Sequence, residues 1–176
     1  MKKLLGEDRR NELLTLLKNA NGPITGTDLA KHSNVSRQVI VNDMNLLKAR
    51  NEPILATSQG YIYINKDENV MYFERKIVCI HTANQAEDEM LTIVDCGVTL
   101  KNVIVEHPVY GEITASMMLS NRKDVENFLT RVQETQASYL SALTNGTHLH
   151  VISAPTEERL DLAEKMLREK GYLVEG

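Results

Sequence analysis

Apolar residues recur at helical spacing through the first fifty positions and then switch to alternation. Leu13, Leu14, Leu16 and Leu17 within Glu7–Asn19 predict an amphipathic helix, which Asn21-Gly22-Pro23 ends. Thr25 or Thr27 can cap a short second helix reaching about His32, with Leu29 and Ala30 facing inward. Ser33-Asn34-Val35 makes a turn, and Ser36 caps a third helix extending to about Arg50. Its inner stripe is Ile40, Met44 and Leu47, at i, i+4 and i+7. From Pro53 to Asn65, Ile54, Ala56, Tyr61 and Tyr63 alternate around Ser58-Gln59-Gly60, which predicts a β-hairpin. Two short helices joined by a tight turn and followed by a hairpin form the layout of a winged helix-turn-helix, which presents one helix to the DNA major groove.

Asn65–Asn69 is polar and short and reads as a linker between a domain over residues 1–65 and a second over 70–176. In the second, strands are expected at Arg75–His81, Asn102–Val105, Ile113–Leu119 and Thr147–Ser153, with a last one at Tyr172–Val174. Helices are expected at Gln85–Cys96 (Met90, Leu91 and Val94 inward), Lys123–Glu134 (Val125, Phe128, Leu129, Val132) and Thr156–Lys170, the last capped by Thr156. The fold class is α+β: after the winged module, helices lie on one side of a mostly antiparallel sheet, an α/β sandwich.

Charge sharpens this division. The net charge is −4, but residues 1–65 hold nine Lys/Arg and six Asp/Glu, and the remainder eleven and eighteen. A basic nucleic-acid module joined to an acidic one fits this asymmetry. The basic surplus is small, so firm DNA binding calls for two copies, which predicts a homodimer. No apolar run approaches the ~20 residues of a membrane span. The basic start is followed by charges from Glu7 and by no small-residue cleavage site, which argues against a signal peptide and for a cytoplasmic protein. Cys79 and Cys96 form no metal-type cluster and read as reduced thiols packed as small hydrophobes.

On the third helix Gln38, Val41, Asn42 and Asn45 lie opposite the apolar stripe. Asn and Gln can pair bidentately with adenine, and Val41 can meet a thymine methyl. The DNA-contacting set is therefore Ser36, Arg37, Gln38, Val41 and Asn42. The plainer alternative for Val41 is contact with the wing or a partner subunit. The wing is expected on phosphates rather than bases.

Four of the five histidines lie in the second domain. His148 and His150 alternate on one strand, so their imidazoles share a face with Cα atoms ~7 Å apart. Two imidazoles so placed suit zinc, nickel, copper or iron. His81 ends another strand and can join them if the strands are neighbours, and Glu87, Asp88 or Glu89 can add a carboxylate. His107 sits in Val105-Glu106-His107-Pro108-Val109-Tyr110-Gly111-Glu112, where Pro and Gly frame a turn. It is either a ligand-site residue or a polar cap on the strand.

Taken together, SRQVIVND, VEHPVYGEI and HLHVISAP resemble the niacin-responsive transcriptional repressors of Gram-positive bacteria and Thermotoga. Their first module resembles that of the biotin repressor, and their second is called the three-histidine domain. The resemblance covers nearly the whole chain. It implies a cytosolic dimer on double-stranded operator DNA that represses genes of NAD synthesis or niacin uptake when nicotinic acid, the co-repressor, is plentiful. Carried over by motif, it implies His81, Glu89, His148 and His150 as ligands of a divalent metal (zinc, nickel or iron), and His107 with Tyr110 in the effector pocket. It implies a regulator and no enzyme. Two other classes compete. One is a regulator for which the ion itself is the signal. The other is a metal-dependent hydrolase with Glu106 or Glu112 as general base, which no nucleophile motif or phosphate loop supports.

Overall fold

The computed structural model describes residues 5–64 and 72–174. The chain divides into two compact units, one through Glu68 and one from Asn69. The expected linker Asn65–Asn69 falls outside the described residues.

The first unit has helices α1 (Gly6–Lys18), α2 (Gly26–Ser33) and α3 (Arg37–Ala49), and a hairpin of β1 (Ile54–Thr57) and β2 (Gly60–Tyr63). The local reasons for these boundaries are those legible in the sequence. The Thr25 hydroxyl accepts from Asp28 N and the Ser36 hydroxyl from Val39 N, so α2 and α3 each start on a side-chain cap. Asn34 ends α2 in the left-handed conformation at φ 51°, which turns the chain into α3. Leu13, Leu17, Leu29, Ile40, Met44 and Leu47 fill one core. The sequence gives no sign of the charged contact beside it. Arg9 and Asp43 are both buried, and the guanidinium grips the carboxylate at 2.6 and 3.3 Å, with Arg10 adding a third bond at 3.2 Å. This ties α1 to the inner side of α3.

The wing depends on Gly60. Its φ is +134°, and a Cβ there would lie 2.4 Å from the carbonyl oxygen of Ile24. That close approach lets Ile24 and Tyr61 exchange backbone hydrogen bonds, which fastens the hairpin to the start of α2.

The second unit has β3 (Phe73–Ile80), α4 (Ala86–Asp95), β4 (Thr99–His107), β5 (Gly111–Leu119), α5 (Arg122–Thr135), β6 (Thr147–Ala154) and α6 (Glu157–Glu169). Short 3-10 turns at Ala83–Gln85 and Leu140–Thr144 precede α4 and β6. The sheet is antiparallel throughout, in the order β3-β6-β4-β5. The buried strand residues include Ile77, Cys79, Leu100, Val103, Met117, Leu119, Ile152 and Ala154. They join Met90 and Ile93 of α4, Val125 of α5, and Leu160, Ala163 and Leu167 of α6 in a single core. The fold is therefore α+β, as the alternation of periods predicts.

Three expectations need correction. Tyr172–Val174 is not a strand: Leu173 makes an isolated bridge to Cys79, with Tyr172 and Val174 bonded to β3 backbone, so this segment only covers part of the β3 edge. Thr156 occupies the cap position of α6 but makes no side-chain bond to its backbone. The strand expected at Asn102–Val105 runs over nine residues with an irregularity between Leu100 and Asn102.

Removing one partner of a buried ion pair costs about 3–5 kcal/mol. Asp43→Ala is expected to destabilise the first unit by about that amount. Urea unfolding followed by helix signal checks this, and an unchanged transition would contradict the role given to the pair.

Candidate metal centre and nucleic-acid interface

The histidine site is set by strand register. Antiparallel pairing puts Cys79 opposite His148, Ile77 opposite His150, and Val103 opposite His150 on the other flank. His148 and His150 therefore point into the helix-covered face. His81 follows the end of β3, and Glu89 comes from the first turns of α4. All four are buried.

Each histidine has one nitrogen on a backbone carbonyl. His81 Nδ1 donates to Thr82 O at 2.8 Å, His148 Nδ1 to Gly146 O at 2.8 Å, and His150 Nδ1 to Asn102 O at 2.7 Å. A carbonyl only accepts, so Nδ1 bears a proton in each ring, and Nε2 is the inward-facing atom of each, able to bind either a proton or a metal ion. Those atoms meet. His148 Nε2 and His150 Nε2 are 3.0 Å apart, and Glu89 Oε2 lies 2.7 Å from His81 Nε2 and 3.3 Å from His150 Nε2. Glu89 Oε1 is 3.4 Å from His148 Nε2, too poorly aimed for a hydrogen bond, and is buried without one. Protons can bridge the His81–Glu89 and His148–His150 contacts, but Glu89 Oε1 is left without one, and a single cation among these atoms would satisfy all of them together. The donor set of three imidazoles and one carboxylate fits a divalent transition ion.

Burial alone pushes the Glu89 carboxyl up, but His150, His148 and His81 around it outweigh burial and hold it well below the usual carboxylate range. His81 shows the converse: burial opposes its charge, and the Glu89 carboxylate, with the Thr82 carbonyl, raises it nonetheless.

Supporting residues hold this arrangement, and sequence reading missed them. Gly146, at φ +94°, passes so close to His81 that a Cβ would sit 2.3 Å from the His81 carbonyl oxygen. Its own carbonyl accepts from both His81 N and His148 Nδ1. The Asn145-Gly146 pair was the available signal. Asn102 lies at the β4 irregularity. Its side-chain oxygen takes the Val151 N–H at 2.9 Å while its backbone carbonyl turns to His150. Beyond Glu89, Asp88 is held below the ordinary carboxylate range by Lys170 and the Tyr172 hydroxyl, and Tyr172 packs edge-on to His81 at 5.5 Å. Of the three acidic candidates, only Glu89 turns to the histidines; Glu87 and Asp88 are exposed.

Cys79 also differs from its sequence reading. It is fully buried in the core, as a small hydrophobe would be. Yet its Sγ and the ligand atoms of Glu89 and His148 all lie within 4.8 Å of one another. Burial, and secondarily the Glu89 charge, push its thiol up. Cys96 lies at the end of α4, partly buried.

A cavity of about 200 Å³ opens beside the four residues. His81, Glu89, His148 and His150 form its polar end; Met90, Val103, Met117, Phe128, Val132 and Tyr139 form much of its apolar wall. The residues lining it include no Lys or Arg. His107 and Tyr110 are not among them. They sit at the β4–β5 hairpin end, ring on ring at 5.0 Å, and His107 Nδ1 accepts from Val109 N and Tyr110 N. His107 thus caps its own turn, and Tyr110 is exposed. Glu106 and Glu112 pair across the same hairpin end, exposed, and one residue out of phase with the inward face.

In the first unit, Ser36, Arg37, Gln38 and Asn42 are exposed on α3 and Val41 is half-buried. Gln38 Nε2 donates to Asn42 Oδ1 at 3.3 Å, so the two amides stand side by side on the outer face. No helix among the described residues is long and apolar enough to cross a membrane.

Comparison with known proteins covers both units. A helix-turn-helix domain family matches residues 9–62, and the 3H domain family matches residues 74–176. The chain is 50% identical to the transcription repressor NadR of Bacillus subtilis, over 98% of this chain and 96% of that protein. It is 34% identical to the probable transcription repressor NiaR of Thermotoga maritima, over 98% of this chain and 97% of that one. With two domains matched in order and near full-length identity to both repressors, the chain belongs to the NadR/NiaR family of transcription repressors.

Proposed function

We propose that this chain is a DNA-binding transcription repressor whose 3H domain holds a divalent transition ion through His81, Glu89, His148 and His150, and takes nicotinic acid as its co-repressor. The observation that supports the metal most directly is the convergence of three Nε2 atoms on a buried carboxylate, each ring held by its Nδ1–H on a carbonyl. When bound, the ion would supply Lewis acidity and an open position for a carboxylate oxygen. The chain's own residues do the rest. The Nδ1 bonds fix ring orientation and raise imidazole basicity. Phe128 and Tyr139, ring centroids 6.3 Å apart, offer flat apolar surface for an aromatic ring. The lining has no cationic side chain, so a carboxylate entering the cavity depends on the ion for its countercharge. A flat aromatic acid such as nicotinic acid fits this division, with its carboxylate at the histidine end. The effector so placed does not touch His107 or Tyr110 within one chain.

The exposed amides of α3 suit base edges, with Ser36 and Arg37 at its start on phosphate. Two chains acting as a homodimer would set two such helices about 34 Å apart for successive major grooves. Nicotinic acid must then favour the DNA-competent arrangement, and a coupling of ~1–3 kcal/mol gives a useful change in operator affinity. The proposed regulated genes are those of NAD synthesis or niacin uptake, and the site of action the cytoplasm.

Titration of operator DNA with metal-loaded protein tests the effector. Nicotinic acid is expected to tighten binding by about 5–150-fold, and equal affinity with and without it removes the effector from the proposal. If chelation alone abolished binding and nicotinic acid were irrelevant, the ion itself would be the signal.

Protons compete with the metal for imidazole nitrogens, and, against the opposing effect of burial, Glu89 raises the His81 pKa. Affinity for the ion is therefore expected to fall as pH is lowered from about 8 to 5, with the loss beginning toward the upper end of that range. Metal content after dialysis across that range checks the ligand set, and retention of the ion in His148→Ala/His150→Ala at neutral pH would reject it.

Replacing Gln38 and Asn42 by Ala is expected to cost about 1–3 kcal/mol of operator discrimination each, with binding to unrelated duplex little changed. Equal losses on both duplexes would assign these residues to structure rather than base reading.

A further inference from the structure

The proposed ligand set leaves out a thiol that stands against it. Cys79 Sγ lies on the inward face of β3, opposite His148 in the register, and within 4.8 Å of ligand atoms of both His148 and Glu89. Glu89 is 2% exposed, and its Oε1 has no hydrogen-bond partner although it is one of the atoms facing this group. A core position needing only a small hydrophobe would be served by Ala or Val, without bringing sulfur to a carboxylate and an imidazole. We propose that Cys79 is a further donor to the ion held by the histidines, making the centre a mixed nitrogen, oxygen and sulfur site.

This rests on the metal centre proposed above and adds to it a claim about selectivity. Imidazole and carboxylate alone admit a broad range of first-row ions, including manganese. A thiolate donor narrows that range toward zinc, nickel and cobalt, which accept sulfur readily. On coordination the Cys79 sulfur forms a bond to the ion and loses its proton to solvent; nothing is oxidised or reduced. The position of Cys79 on the buried face of β3, fixed by the β3–β6 register, makes this donor rigid, so selectivity is set before the ion arrives.

Cobalt reads this directly. The full chain is loaded with Co²⁺, and its absorption is compared with that of Cys79→Ser and of Cys96→Ser, whose cysteine sits at the far end of α4. Wild type and Cys96→Ser are expected to show a near-ultraviolet sulfur-to-cobalt charge-transfer band, and Cys79→Ser to lose it while keeping visible d–d bands. Visible bands without the charge-transfer band in wild type would overturn the Cys79 assignment and leave the histidine centre standing; the thiol would then be a weak donor toward Glu89 and no ligand. Failure to bind cobalt at all would overturn both. X-ray absorption on zinc-loaded wild type needs no variant. A sulfur scatterer at about 2.3 Å beside nitrogen and oxygen neighbours at about 2.0–2.2 Å is the expected result, and a shell of nitrogen and oxygen alone overturns the proposal.

Discussion

The second unit depends on a constraint on protons. Three imidazoles each give their Nδ1 hydrogen to a backbone carbonyl, from Thr82, Gly146 and Asn102. The nitrogens that face inward share a buried space with the carboxylate of Glu89. Desolvated lone pairs and a charge in contact are costly unless something positive satisfies them. Strand register, the bend at Asn102 and the glycine at 146 all contribute to building this electron-rich point. Its neighbours are arranged to match: the cavity beside it is apolar elsewhere and has no lysine or arginine in its lining. On the proposed function, a negatively charged ring compound would be directed to the end where the ion would be held.

Much of this was legible in the sequence because periodicity reports faces. Ile40, Met44 and Leu47 announce the inner side of α3 through helical spacing, and their burial is complete or nearly so. His148 and His150 announce a shared strand face by alternation alone. Glu89 was different. Spacing left Glu87, Asp88 and Glu89 open, because three consecutive residues at a helix start cover most of its circumference, and only family resemblance favoured the third.

What stayed hidden depends on tertiary closure. Arg9 and Asp43 look like surface charges in any local window; they become buried partners only when α1 packs on α3, 34 positions apart. Asn102 reads as a strand residue, and nothing local says that its side chain replaces its carbonyl in the ladder. Gly146 reads as a turn, though its second property, clearance for the His81 carbonyl, exists only across two segments. Cys79 reads as a core cysteine and is one; its neighbourhood to Glu89 and His148 follows from register. His107 has turn-forming neighbours in the sequence, and the structure gives it a local role in capping that turn.

The proton constraint can be observed without reference to operator DNA or effector. Nitrogen NMR of full-length protein labelled with ¹⁵N-histidine resolves the tautomer of each of the five imidazoles. The account predicts that His81, His148 and His150 carry hydrogen on Nδ1 and that their Nε2 resonances shift together when zinc is added. Absence of hydrogen from Nδ1 in these rings, or Nε2 resonances indifferent to zinc, would contradict it.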